Sequence, residues 1–139
     1  MKLVLAVSIL LTAICASVIH AMDVKVEAVI AAGQDAKPTD TFEADIPKLH
    51  VFFKSKGTKK GDTLRGVWIA EDVGAAAPKE HRIHESTMTS DKDDFFGAFS
   101  LSKPTKGWPA GKYRVEIYAG YDVAATVKFT ILAADSGEG

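Results

Sequence analysis

The sequence predicts an all-β domain, a two-sheet antiparallel sandwich of about seven strands. Three observations carry this. Apolar and polar residues alternate with a period of two along several short stretches. Gly- and Pro-containing turn signals separate those stretches. No stretch sustains the spacing of an amphipathic helix, and no internal repeat is visible.

Residues 1–21 read as an export signal. Met1-Lys2 supplies a positive end, Leu3 to Ile14 an apolar run too short for an ordinary span, and Ala16 to Ala21 mostly small or apolar residues. Cleavage after Ala21 is the first reading and cleavage after Ala16 the alternative. Lipid attachment at Cys15 is disfavoured, because Ile14 stands where such signals want a small residue. The expected location is periplasmic or secreted, with no membrane insertion once the signal is cut.

Cys15 is the single cysteine, so the exported chain has neither an internal disulfide nor a thiolate site. Stability has to come from packing. About 118 of the 139 residues remain, enough for one domain with a real core. The 17 Lys and Arg nearly balance 18 Asp and Glu, and Lys2 is the only charge in the signal. The slightly acidic remainder has no nucleic-acid footprint and no membrane-binding face. The expected organisation is a signal over 1–21, a sandwich over 22–132 and a disordered acidic tail over 133–139.

Asp23 to Ala31 sets Val24, Val26, Ala28 and Ile30 against Asp23, Lys25 and Glu27, an opening strand. Gly33 to Asp45 is a long polar connection with one short bridging segment near Phe42. Pro47 to Ser55 turns Leu49, Val51 and Phe53 inward, and Lys54 to Asp62 is a solvated turn. Thr63 to Asp72 is more ambiguous, since Leu64, Gly66, Trp68 and Ala70 oppose Arg65, Val67, Ile69 and Glu71. Trp68 is placed inward, with its indole nitrogen expected to find a partner.

From Val73 to Asp94 the alternation breaks, leaving one short edge strand around Arg82 to Thr89 whose charges guard the sheet edge. Phe95 to Ser102 resumes it with Phe95, Phe99 and Leu101 inward, and Lys103 to Gly111 crosses to a terminal hairpin. There Tyr113, Val115, Ile117 and Ala119 form one inward set, and Val123, Ala125, Val127, Phe129 and Ile131 the other. Both can be buried only across an odd connection, so a three-residue loop, Gly120-Tyr121-Asp122, is expected. The hairpin and the Trp68 strand are expected in one sheet, and the Val24, Leu49 and Phe99 strands in the other.

The stretch from Phe95 to Ile131, with Trp108-Pro-Ala-Gly-Lys-Tyr-Arg-Val-Glu-Ile117 inside it, resembles the last three strands of immunoglobulin-like domains in bacterial secreted proteins. Many of these close on Trp-Pro-x-Gly-x-Tyr-x-Val-x-Ile, a short hairpin and a Phe-x-Ile strand. The resemblance implies an immunoglobulin-like sandwich in which Trp68 is the core tryptophan and Tyr113 the corner tyrosine, its hydroxyl bonded to backbone upstream. It implies nothing specific about function. A thinner resemblance, to small periplasmic copper-resistance sandwiches, lacks their ligands: cleavage discards His20, and Met22 and Met88 stand alone.

Candidate chemistry is sparse. His81 and His84, flanked by Glu80 and Glu85, suit zinc or copper only if that piece is a helical turn; on a strand the rings point apart. Asp91, Asp93 and Asp94 offer oxygen ligands for calcium, without the Gly turn and final acid of a known loop. Phe52, Trp108, Tyr118 and Tyr121 are candidate exposed aromatics, and Trp108, Tyr118 and Tyr121 are the set a carbohydrate-binding module would use to stack sugars. Packing under the sheet is an equally ordinary role for Trp108. No catalytic residues and no cofactor are indicated: no Ser stands in a Gly-x-Ser-x-Gly setting, and Glu71 and Asp72 adjoin a strand end and face apart. The reading is a non-catalytic envelope module with a protein partner. Carbohydrate binding and metal binding are the alternatives.

Overall fold

A computed structural model describes residues 24–134. Residues 1–23, which include the expected export signal, and residues 135–139 of the expected tail lie outside the described residues. Eight strands follow one another: β1 (Lys25–Ala31), β2 (Thr41–Phe42), β3 (Lys48–Lys56), β4 (Thr63–Asp72), β5 (His81–Thr89), β6 (Phe96–Ser102), β7 (Gly111–Ala119) and β8 (Asp122–Ile131). A three-stranded sheet runs β1-β3-β6 and a five-stranded sheet β2-β8-β7-β4-β5. This is the partition the alternation predicts. The short segment at Phe42 is β2, which pairs parallel with the end of β8.

The inner faces meet as expected. Leu49, Val51, Phe53 and Phe99 from the small sheet pack against Leu64, Trp68, Tyr113, Val115, Ile117 and Phe129 from the large one, all buried. Each large apolar side chain withdrawn from water contributes about 1.5–3 kcal/mol, and no disulfide assists. The ambiguity of β4 resolves because it lies between β5 and β7. Trp68 faces the core, while Val67 and Ile69 are buried on the other face. Glu85 and Glu116 flank Val67, and Arg82 and Arg114 flank Ile69, so long charged side chains roof them. One expectation fails: Trp68 Nε1, though buried, meets no acceptor among the described residues.

The corner before β7 is built by its motif. Tyr113 is buried between Phe129, stacked at 5.0 Å and 12°, and Trp108, edge-on at 6.0 Å and 86°. Its hydroxyl donates to the Pro109 carbonyl, as the resemblance implied. Gly111 has φ +148°, and a Cβ there would stand 2.2 Å from the Asp72 carbonyl oxygen. The glycine is therefore required by the approach of β4.

The terminal hairpin corrects the loop expected of it. The deep pairs are as predicted, Tyr113 with Phe129, Val115 with Val127 and Ile117 with Ala125. The tip differs: Ala119 pairs with Asp122 across Gly120-Tyr121, and a bulge beside Ile117/Tyr118 absorbs the odd residue. A two-residue turn with Gly120 at φ +64° matches strand twist better than a longer loop. Parity is restored inside the ladder, and Val123, expected inward, lies opposite Tyr118 and is 45% exposed.

Candidate functional site

The residues singled out from the sequence do not converge. Trp108 is 3% exposed and its indole donates to the Ile46 carbonyl at 3.0 Å, so it is a core residue rather than a stacking platform. Tyr118 is half-buried on the outer face of the large sheet, with the Arg65 guanidinium 4.5 Å above its ring and its hydroxyl donating to Glu116 at 3.3 Å. Tyr121 is 97% exposed at the hairpin tip. Trp108 precedes β7, while Tyr118 lies near the far end of that strand and Tyr121 in the turn beyond it, so the three rings do not share one row.

His81 and His84 correct the rule that histidines three apart on a strand point apart. Both are exposed on edge strand β5, but His81 lies opposite Ala70 and His84 opposite Trp68, two inner-face positions. A bulge at Ile83 shifts the alternation by one and brings both imidazoles to one face. Two imidazoles make half of a tetrahedral shell. Among the described residues no group of three or more His, Cys, Asp or Glu is placed to hold a metal. His81 lines a groove of about 460 Å³ at the end of the sandwich, with Val73, Ala77, Ile83, Trp108 and Tyr113.

The aspartates have backbone work. Asp94 accepts the Gly57 N–H at 2.8 Å, Asp93 that of Lys60 at 2.9 Å, and Asp62 that of Lys59 at 2.8 Å. Beneath them Ser55 and Thr58, both buried, share a hydroxyl hydrogen bond at 2.8 Å. The turn expected to be merely solvated is thus tied to the β5–β6 connection.

The two outer faces of the sandwich contrast. On the large sheet most of the outward charges are paired: Arg114 with Glu71, Glu80 and Glu116, Lys128 with Glu71, and Arg65 and Arg82 with Glu85. The outer face of the small sheet is different. Register aligns Val29 with Phe52 and Phe52 with Ala98 across the three strands, and the adjacent row is Glu27, Lys54 and Phe96. Phe96 is 69% exposed and Val29 46%. Between them a shallow groove of about 400 Å³ is floored by Phe52 and Gly97 and edged by Glu27 and Lys54.

At the far side of this patch the His50 ring stacks on Phe52 with centroids 5.6 Å apart, and its Nδ1 is 2.7 Å from the Ser100 hydroxyl. Partial burial, and then the neighbouring Lys48 charge, push the His50 pKa below its ordinary 6.5. The Lys92 ammonium lies 5.0 Å above the Phe96 ring. Phe52 was a candidate from the sequence, but Val29 and Phe96 were missed. The available signal was that each is a large apolar residue at an outward position of its alternation.

Comparison with solved structures places this fold. An immunoglobulin-like protein from Pseudomonas aeruginosa superposes over 78% of this chain and 96% of its own, with a TM-score of 0.51 and 16% identity. The β-glucosidase of Listeria innocua, in complex with gluconolactone, matches 81% of this chain with a TM-score of 0.51 and 10% identity. This chain spans only 16% of that enzyme. At these identities the likeness concerns the fold alone, an immunoglobulin-like β-sandwich. No family model and no curated protein matches the sequence.

Proposed function

We propose that this chain is an exported, non-catalytic interaction module of the bacterial cell envelope, and that it docks a protein partner on the outer face of its three-stranded sheet. The observation that carries the reading is the contiguous row Val29–Phe52–Ala98 with Phe96 beside it, an apolar sheet face open to solvent. Such a face costs free energy while it is wet, and its burial against a partner recovers that cost. Export rests on the composition of residues 1–21, and the interaction role accords with a fold that hosts many binding functions.

The test is photo-crosslinking in cells. A benzophenone amino acid at Phe96 or Val29 is expected to give one discrete adduct in the periplasmic fraction, whereas the same probe at Lys128, on the outer face of the other sheet, gives none. Equal labelling from Lys128, or adducts from neither Phe96 nor Val29, would refute docking on this face. Recovery of the protein only from the cytoplasm, with residues 1–21 still attached, would refute export.

A further inference from the structure

We infer that the partner docked on the small sheet is acidic, presenting an apolar side chain flanked by carboxylates; this rests on the docking reading above. Shape and charge on one face lead to it. The groove between Val29 and Phe96 is concave, so it accepts a protruding apolar side chain. Lys25, Lys48, Lys54 and Lys56 occupy outward positions around it, Lys92 overhangs Phe96, and among the described residues Glu27 is the one acid on the three strands of the face. The full sequence carries a formal charge of −1, so this basic excess is local and is offset elsewhere in the chain.

The lysines are also uncommitted. Among the described residues none of Lys48, Lys54 and Lys56 stands in an ion pair, whereas Arg65, Arg82, Arg114 and Lys128 of the opposite outer face each do. A rim of unpaired cations around an apolar centre selects carboxylates by complementarity and repels its own copy, which argues against a face-to-face dimer. It also disfavours a bilayer. The apolar residues lie within a sheet face among Lys54 and Glu27 rather than on a protruding tip, so immersing Phe96 in acyl chains would immerse those charges too.

The experiment uses the exported protein and two synthetic peptides, one alternating Glu with Phe and Leu, the other its Lys-for-Glu twin. Binding is followed by fluorescence anisotropy, and the site is mapped by amide chemical shifts. The acidic peptide is expected to bind, to shift the amides of Val29, Phe52 and Phe96, and to weaken severalfold between low salt and about 0.15 M salt. Lys54→Glu with Lys56→Glu should weaken it at least about tenfold with the melting temperature unchanged, and Phe96→Ser should weaken it as well.

Equal binding of the Lys twin would overturn the inference. So would capture by phosphatidylglycerol vesicles without peptide binding, or a concentration-dependent dimer in sedimentation. If the acidic peptide fails while position 96 or 29 still crosslinks to a partner, the charge inference falls and the docking reading stands. If neither occurs, both fall.

Discussion

The Phe99 ring of β6 lies directly against the backbone of Gly66 in β4, across the interface between the two sheets. A Cβ built on Gly66 of β4 would lie 2.7 Å from Cγ and 2.8 Å from Cδ1 of Phe99, which reaches across from β6. The ring has no free retreat, because it stacks on Phe53 with centroids 5.3 Å apart. Interiors are packed densely enough that one methyl group in such a place must displace its neighbours.

Gly66→Ala is therefore expected to cost about 1–3 kcal/mol of stability by overpacking. In a Phe99→Leu background the same substitution should cost distinctly less. Denaturant melts of the two single variants and the double variant check this, and strict additivity would contradict the contact.

Gly111→Ala should be worse, roughly 2–4 kcal/mol, since the obstacle is the backbone carbonyl of Asp72 rather than a movable side chain. Gly33→Ala is the control. Its Cβ would meet nothing within 4 Å, and the melt should shift by no more than about 0.5 kcal/mol.

Burial pushes the Tyr113 phenol from 10.0 up to about 12. A group whose folded pKa is raised contributes stability that is complete below the unfolded value and disappears as pH climbs through the folded one. Tyr113→Phe should cost about 1 kcal/mol at neutral pH through the lost bond to Pro109. The gap between variant and parent should then narrow from pH 10 toward 12. Alkaline melts that run parallel would refute this.

His50 has the opposite sign. With its folded pKa held below 6.5, its contribution is present above pH 6.5 and is lost as pH falls through the folded value. The parent should lose stability on acidification more steeply than His50→Gln, and the imidazole resonances should titrate below their ordinary midpoint. A His50 midpoint at or above 6.5 would be inconsistent with its partial burial beside Phe52.

Asp94→Ala should destabilise by about 1 kcal/mol, because it removes the acceptor of the Gly57 N–H and leaves alanine at φ +46°. Asp94→Asn keeps both an acceptor and a side chain tolerated there, so it should recover most of the loss. Thermal melts of the two variants decide whether this aspartate acts as a turn fastener.

Most of the architecture was legible because period-two alternation reports burial one strand at a time. Leu49, Val51, Phe53, Val115, Ile117 and Phe129 could be assigned to the interior without knowing what they touch. The hairpin tip could not, because an odd loop and an even loop with a bulge satisfy the same parity. The candidate site was less legible still. Val29, Phe52 and Phe96 are far apart in sequence and become one surface only when β1 and β6 pair on either side of β3. Trp108 stayed open between two roles, since an aromatic before a proline reads alike whether it faces solvent or packs beneath a corner.

Local pattern alone determined the strands, their inward faces and the two-sheet class, since each depends on residues within a few positions of one another. Tertiary structure decided the rest: the bulges that turned Val123 outward and gave His81 and His84 the same face, and the register that gathered an apolar row among unpaired lysines. Those are relations between strands, and a chain's own alternation carries no information about which neighbour it will meet.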